Sequence, residues 1–236
     1  MMSNIKPLKY YNLKYENNNS YNLLIRGEAF RIGGQTKRNT SGKIEDQKCA
    51  FESIKRNVIY PLKEKYDNLY IYVDVVVLLN ENKNLLKQWF SEFKEVKIIN
   101  INKNVLQTQI KTLERSLMLI KDKYPLLIIR IDTFFKVKIQ FDKFSDSYFY
   151  VPFKGKFGPR INDIMIQVPR NYISIFKKAL KYHKIDLHYL YETLIKLGVS
   201  KNKLKFMINK RYNANSEKEL NPIYYLIGRP KFESII

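Results

Sequence analysis

A short apolar run with the sequence LLIIRID, at residues 126–132, combines the length of a buried β-strand with two charged residues at its end. Strands of a parallel sheet are covered on both faces, so they consist of nearly continuous Leu, Ile and Val. An amphipathic helical pattern from Leu106 to Ile120 precedes the run, and Pro125 separates the two. The sequence here therefore predicts a helix followed by a central strand with Arg130 and Asp132 at its carboxyl end.

The same alternation of strand-like and helix-like segments extends over the first half of the chain. Strand-like segments are residues 21–27, 69–79, 96–101 and 126–131, and helix-like segments are residues 47–60, 84–94 and 106–120. Such alternation is typical of an α/β fold in which helices flank a mainly parallel mixed sheet. A polar, glycine-rich segment from Gly33 to Asp46 is predicted to be a loop.

The second half of the chain has a different pattern. Short strands are predicted at residues 136–141, 147–153 and 203–209, and the apolar residues 164–166 are interpreted as a turn. Helical spacing at residues 171–184 and 186–197 predicts a helical, basic C-terminal portion.

The composition indicates one globular unit. With 236 residues, 45% of them hydrophobic, we expect a single domain over residues 1–236, with residues 1–20 as an N-terminal extension. The sequence contains no apolar run of bilayer length, and its N-terminus lacks the apolar core of a secretory signal, which predicts a soluble cytoplasmic protein. Cys49 is the only cysteine, which excludes an internal disulfide, and we expect it to be a small buried residue.

The formal net charge of +21 attracts anions such as nucleic acid, membrane surfaces or phosphorylated substrates. The excess is concentrated between Arg170 and Arg211, where eleven lysines and arginines occur with only Asp186 and Glu192. This stretch is a candidate surface for an acceptor or for peripheral contact with an anionic membrane. A compositional bias toward Lys, Asn and Ile explains much of the charge equally well.

Two arginines flank a glycine turn at the end of the first predicted strand. Arg26, Gly27 and Arg31 lie there, and the pair Gly33–Gly34 follows. Ligands of open α/β sheets bind beyond the carboxyl ends of the strands. Glycine lets the backbone approach an anion closely, and a guanidinium group binds two phosphate oxygens at once. The segment predicts a diphosphate-binding turn, with a tight turn bearing surface arginines as the alternative.

A carboxylate stands at the end of the fourth predicted strand. Asp132 could hold a Mg²⁺ or Mn²⁺ ion that also binds diphosphate oxygens. Residues two apart on a strand point to the same face, so a structural ion pair between Arg130 and Asp132 is the alternative. Asp74, within the second predicted strand, is a further carboxylate that a buried strand would ordinarily avoid.

Two polar segments of the second half are candidates for further roles. Asp163 is predicted to lie on a loop and to act as a general base toward an acceptor hydroxyl, with ordinary turn chemistry as the alternative. Asn215 and Ser216 lie in a polar segment that is also consistent with a capped turn. His183 and His188 are the only histidines, and they have no partner at metal-ligand spacing, so no zinc site is predicted.

Taken together, these segments resemble a group of glycosyltransferase-like proteins of large DNA viruses and some microbes that have a GT-A-type fold. The matching pieces are residues 26–31, Gln47 with Ala50 and Ser53, residues 130–132 with Phe135 and Lys136, Asn162 with Asp163, Asn215 with Ser216, and Asn221 with Pro222. The likeness extends from about residue 21 to about residue 229.

The resemblance implies transfer of a sugar from a nucleoside diphosphate sugar donor to a hydroxyl group of a glycan acceptor. The residues it assigns to donor binding are Arg26, Gly27, Arg31, Arg130, Asn215 and Ser216. It assigns Mn²⁺ or Mg²⁺ to Asp132, and the general base of an inverting enzyme to Asp163. Proteins of this type often carry Asp-x-Asp, whereas this chain has Arg130 before Asp132 and no second carboxylate beside it.

Two other functions remain open from the sequence. A basic nucleic-acid-binding protein would use residues 170–211 as its contact surface, although nucleic acid is the less favoured partner. A non-catalytic scaffold that keeps a transferase-like sheet is the second. Neither function requires Asp132.

Overall fold

The structure is a computed structural model that describes residues 19–30, 42–77, 79–93, 96–101, 109–155, 161–182, 187–212 and 222–227. The helices are α1 (Ile44–Ile54), α2 (Tyr60–Lys65), α3 (Asn80–Phe90), α4 (Gln109–Leu117), α5 (Ile173–Tyr182) and α6 (Leu190–Lys196). A π-helical segment, Lys55–Ile59, joins α1 to α2. Short 3₁₀ turns occupy Phe141–Lys143, Arg170–Tyr172, Leu187–Tyr189 and Lys201–Lys203.

The strands form one large sheet and two small ribbons. They are β1 (Ser20–Glu28), β2 (Asn68–Val76), β3 (Val96–Ile101), β4 (Leu126–Arg130), β5 (Thr133–Phe135), β6 (Phe149–Val151), β7 (Lys154–Gly155), β8 (Met165–Val168), β9 (Leu204–Phe206), β10 (Arg211–Tyr212) and β11 (Tyr224–Leu226). The large sheet has seven strands in the order β3-β2-β1-β4-β8-β6-β9. Strand β8 runs antiparallel to β4 and β6, while the other neighbouring pairs are parallel. The predicted α/β fold with a mainly parallel mixed sheet is confirmed.

Helices cover both faces of this sheet. Leu23, Val73 and Ile129 belong to a core that also contains residues of α1, α2 and α3. Leu24 and Ile128 belong to a second core with residues of α4, α5 and α6. Because successive strand residues point to opposite faces, a strand between two cores must be apolar at every position, which explains the continuous run at residues 126–129.

One strand prediction and one turn prediction in the second half were wrong. Residues 136–141 do not form a strand, because the backbone N–H groups of Lys136 and Ile139 donate to Ile223 and to Asn57, on two different elements. Residues 164–166, interpreted as a turn, lead into strand β8, which pairs with β4 and is buried at all four positions. The apolar run was short enough for either structure, and pairing with β4 selected the strand.

The expected burial of Cys49 was also wrong, because its side chain is exposed. Gln47, Ala50, Phe51 and Ile54 form the buried side of α1, and Cys49 falls on the opposite side of the helix. Within the described ranges, none of the helices combines the length and the apolar character needed to cross a bilayer.

Candidate functional site

Strands β1 and β4 lie on either side of the topological switch point of the sheet, where the order of the strands reverses. The chain adds β2 and β3 on one side of β1 and then crosses to the other side to form β4. In open α/β sheets, ligands bind at such a switch point, beyond the carboxyl ends of the strands. Arg26 at the end of β1 lies beside Arg130 at the end of β4, and beside Asp74 on β2. The three strands therefore present one charged row at this edge.

Arg130 and Asp132 form a two-pronged ion pair. The Nε atom of Arg130 donates to Oδ1 of Asp132 at 2.9 Å, and Nη2 donates to Oδ2 at 2.5 Å. Their exposed fractions are 9% and 5%. Because both carboxylate oxygens accept from one rigid guanidinium group, the pair holds the turn after β4 in one geometry.

Asp163 lies between the two arginines, in the segment that precedes β8. Its Oδ2 atom is 3.7 Å from Nη2 of Arg26 and 3.7 Å from Nη1 of Arg130. Nη2 of Arg26 also donates to the backbone oxygen of Asp163 at 3.0 Å. Together with Asp132, these residues form a buried cluster of two positive and two negative side chains, hereafter the arginine–aspartate cluster.

Burial and ion pairing compete in setting the pKa values of this cluster. Burial by itself would raise the pKa of Asp163, but Arg130, Arg26 and His188 outweigh it and hold that pKa below its ordinary value. Burial lowers the pKa of Arg26 to about 10, against the opposing effect of Asp163. Burial also acts to lower the pKa of Arg130, yet Asp132 and Asp163 raise it above its ordinary value. All three side chains are therefore charged at neutral pH.

Asp74 has its own partners on helix α4. Arg115 and the hydroxyl group of Ser116 both donate to its carboxylate. The sequence marked Asp74 but not these partners. Ser116 is buried on the same face of α4 as Leu113 and Leu117, and a polar residue on an apolar helix face was the available signal.

The end of β1 and the turn that follows it have unusual backbone geometry. Gly27 has φ +114°, a conformation in which any residue with a side chain is strained. Phe30 has φ +52°, which is rare for a bulky residue. The sequence predicted that the strand ends in a turn at Gly27, whereas β1 continues through Gly27 and Glu28, which pair with Val75 and Val76 of β2.

Two buried donors in the site have no hydrogen-bond partner among the described residues. They are Nε of Arg26 and Nδ2 of Asn162. The Oδ1 atom of Asn162 accepts from the backbone N–H of Ile164 at 3.0 Å, which fixes the side chain beside Asp163. Buried donors are almost always satisfied, so we expect the acceptors of both atoms to come from outside the described residues.

Five of the predicted site residues come together at this edge of the sheet: Arg26, Gly27, Arg130, Asp132 and Asp163. Arg31, Asn215 and Ser216 lie outside the described residues. Asp163 was predicted on an accessible loop, but only 4% of it is exposed. A buried, ion-paired carboxylate with a lowered pKa is a weak base, so this environment favours a counter-ion role.

The described residues do not fit a divalent cation held by the protein. Both oxygens of Asp132 are occupied by Arg130. Within the described part of the chain, no three His, Cys, Asp or Glu residues cluster as ligands would. A hard cation such as Mg²⁺ or Mn²⁺ needs free carboxylate oxygens.

Neither a protein-family model nor a curated protein matches the chain. Similar solved structures include 4-diphosphocytidyl-2C-methyl-D-erythritol synthase from Anaerococcus prevotii, with 11% identity, 84% of this chain and 90% of that chain covered, and a TM-score of 0.49. Glycosyltransferase GlyE from Streptococcus pneumoniae has 12% identity and a TM-score of 0.47, with 79% of this chain and 44% of that chain covered. A nucleoside-diphosphate-sugar pyrophosphorylase from Vibrio cholerae has 13% identity and a TM-score of 0.46, with 78% of this chain and 90% of that chain covered. At such identities and scores the likeness concerns the arrangement of strands and helices, and the case for a function depends on the contacts of the arginine–aspartate cluster.

Proposed function

We propose that this chain is a nucleotide-sugar transferase whose donor binds over the carboxyl ends of β1 and β4. One observation carries the proposal. Arg26 and Arg130 are register partners on the two strands that flank the switch point, and two buried aspartates hold them there. The cluster has no net charge, but its two guanidinium groups are hydrogen-bond donors fixed at a switch point, and such donors match the oxygens of a diphosphate group.

The arginines of the arginine–aspartate cluster would contact the diphosphate group of the donor, and the aspartates would hold these arginines in place. In a sugar transfer, the bond between the anomeric carbon and the diphosphate breaks, a bond to an acceptor oxygen forms, and the proton of the acceptor hydroxyl passes to an oxygen of the departing diphosphate. Negative charge grows on the departing diphosphate. Guanidinium groups that are already fixed in place stabilise this charge without reorganising.

Within this proposal the aspartates have different roles from those first expected. Asp132 braces Arg130, and Asp163 keeps both arginines charged and in position. No step is assigned to a divalent cation, because the described residues do not fit one. Several expectations from the sequence stay predictions. They are donor contacts by Arg31, Asn215 and Ser216, a glycan acceptor, a single-domain organisation, a cytoplasmic location and a viral origin.

A thermal-shift screen over nucleoside diphosphates and their sugar conjugates tests the proposal. We expect at least one to raise the melting temperature, since a ligand at about one hundred times its Kd adds about 2.7 kcal/mol of stability. The rise should be the same with EDTA as with Mn²⁺. No rise with any nucleotide overturns the proposal.

A pair of arginine variants locates the site. Arg26→Met should reduce the nucleotide-dependent rise, measured against its own unliganded protein. Arg56→Met, which changes an exposed arginine on the π-helical segment, should keep it. Equal losses in both variants would point to general charge attraction, since the chain carries +21.

Binding to a labelled single-stranded oligonucleotide separates the rival function. A nucleic-acid-binding protein would bind with a steep salt dependence that Arg26→Met leaves unchanged. A transferase should bind the nucleotide more tightly than the oligonucleotide at about 0.15 M salt.

A further inference from the structure

The side chain of Gln47 connects two turns that are far apart in the sequence. It lies on α1 and is 1% exposed. Its Oε1 atom accepts from the backbone N–H of Phe30 at 3.0 Å, and its Nε2 atom donates to the backbone oxygen of Ile131 at 2.9 Å. Phe30 follows β1 and Ile131 follows β4, so one amide group spans the two turns at the switch point.

The first of these turns depends on an external contact. Phe30 is held at φ +52°, and a bulky residue stays in this left-handed region only where its surroundings hold it. The hydrogen bond to Gln47 is such a contact, and the ring of Phe30 also lies 5.6 Å from the ring of Trp89. Losing the Gln47 amide would remove the side-chain hydrogen bond to this residue and leave its apolar packing.

The second turn is joined to the first directly. The backbone N–H of Ile131 donates to the oxygen of Arg26 at 2.8 Å. Gly27, the residue after Arg26, faces Ile131 closely, since a Cβ atom built on Gly27 would lie 3.8 Å from Cγ2 of Ile131. Gln47, on helix α1, forms hydrogen bonds to both turns.

The same helical unit also holds the chain beyond Asp132. The Oγ atom of Ser53 accepts from the backbone N–H of Phe135 at 3.0 Å, and Nδ2 of Asn57 donates to the Phe135 oxygen at 2.6 Å. Asp132 therefore lies between two backbone positions that are bonded to the helix. Of these three contacts, only the Gln47 contact also reaches the turn of β1.

We propose that Gln47 is a positioning residue that sets the spacing between the turn after β1 and the turn after β4. This spacing determines how Arg26, Arg130 and Asp132 are arranged in the donor site. The inference rests on the proposed function. Binding groups that move by about 1 Å lose much of their effect, even when the moving contact is remote from the ligand.

Gln167 provides a matched control at the other end of the sheet. It is also 1% exposed, accepts from the hydroxyl group of Tyr21 at 2.9 Å and donates to the oxygen of Ser145 at 3.0 Å. It pairs with Leu127, near the start of β4. Replacing either glutamine by methionine removes a buried bridging amide, but only Gln47 borders the proposed donor site.

The experiment compares Gln47→Met with Gln167→Met. We expect both variants to melt at lower temperature than the wild type. Calorimetric titration with the nucleotide identified in the screen, below both transitions, should show about tenfold weaker binding for Gln47→Met and less than about twofold change for Gln167→Met. Equal affinities in the two variants overturn the positioning role. If Gln47→Met does not fold, Gln47→Glu and Gln167→Glu make the same comparison, since each keeps an acceptor and loses the donor.

The fluorescence of Trp89, the only tryptophan, gives a readout that needs no ligand. Its ring contacts Phe30, so Gln47→Met should shift its emission or its quenching by acrylamide, and Gln167→Met should not. An unchanged Trp89 signal in Gln47→Met contradicts the inference. If the wild type binds no nucleotide, the proposed function fails, and the Trp89 comparison still decides whether Gln47 positions the turn.

Discussion

The two ends of the central sheet are built from different chemistry. At the amino end of β1, the fully buried polar side chains among the described residues are neutral. The hydroxyl group of Tyr21 donates to Gln167 at 2.9 Å, and Nδ2 of Asn22 donates to the oxygen of Lys121 at 2.7 Å. Ordinary hydrogen bonds between uncharged groups are sufficient to join β1 to its neighbours here.

At the carboxyl end, the corresponding positions are charged. Arg26 on β1 and Arg130 on β4 are buried together with Asp132 and Asp163, which lie after β4 and before β8. Desolvating such ions costs on the order of several kcal/mol each, so ion pairs are a poor way to hold strands together. The difference between the two ends supports the proposal that the charged residues form a ligand site.

The largest expected effect comes from removing one member of the arginine–aspartate cluster. Arg130→Met leaves Asp132 and Asp163 buried without their shared ion-pair partner, and should lower the free energy of unfolding by about 3–5 kcal/mol. Urea denaturation followed by circular dichroism measures this change. A loss below about 1 kcal/mol would show that water already solvates the cluster, and the contrast between the two ends would disappear.

Removing the ion pair as a unit sharpens the comparison. The double variant Arg130→Met, Asp132→Leu should be more stable than Arg130→Met alone by about 1–4 kcal/mol, because it no longer buries the Asp132 charge. It should still fail to bind a nucleotide. Recovered stability without recovered binding, measured by urea denaturation and calorimetry, would separate the structural role of the pair from its functional role.

The pH dependence of stability gives the next effect. The pKa of Asp163 is lowered in the folded protein, so its ion pairs stabilise the fold above the unfolded pKa of about 3.9, and this contribution is lost as pH falls through the folded pKa. The difference in unfolding free energy between wild type and Asp163→Asn should therefore be full near pH 6 and shrink below about pH 4. Denaturation series at several pH values measure it. A constant difference would contradict the lowered pKa.

The smallest effect is expected at the amino end. Tyr21→Phe removes one hydrogen bond to Gln167 and should lower stability by about 1 kcal/mol. Nucleotide affinity should not change. Thermal melting and the same calorimetric titration test both parts, and a loss of affinity would mean that the two ends are not independent.

Much of the fold follows from local patterns in the chain. A strand that is buried on both faces is apolar at every position, as residues 126–129 are. A helix that is buried on one face has apolar residues three or four positions apart. Both patterns can be read directly from the sequence. Residues 164–166 show neither pattern over enough positions to identify their structure. Whether these three residues form a turn or lead into a strand depends on a neighbour, β4, that is more than thirty positions away.

The candidate site divides in the same way. The position of Arg26, Gly27, Arg130 and Asp132 at strand ends is a local property, so the rule that ligands bind at carboxyl ends could identify them from residue type alone. Their pairing could not be identified. Arg130 was able to bind Asp132 or leave it free for a metal, and Asp163 was able to act as a base or a counter-ion, because a carboxylate's role depends on which charges surround it. Gln47 reaches a backbone oxygen 84 residues away, and contacts of that kind exist only once the strands and helices have packed together.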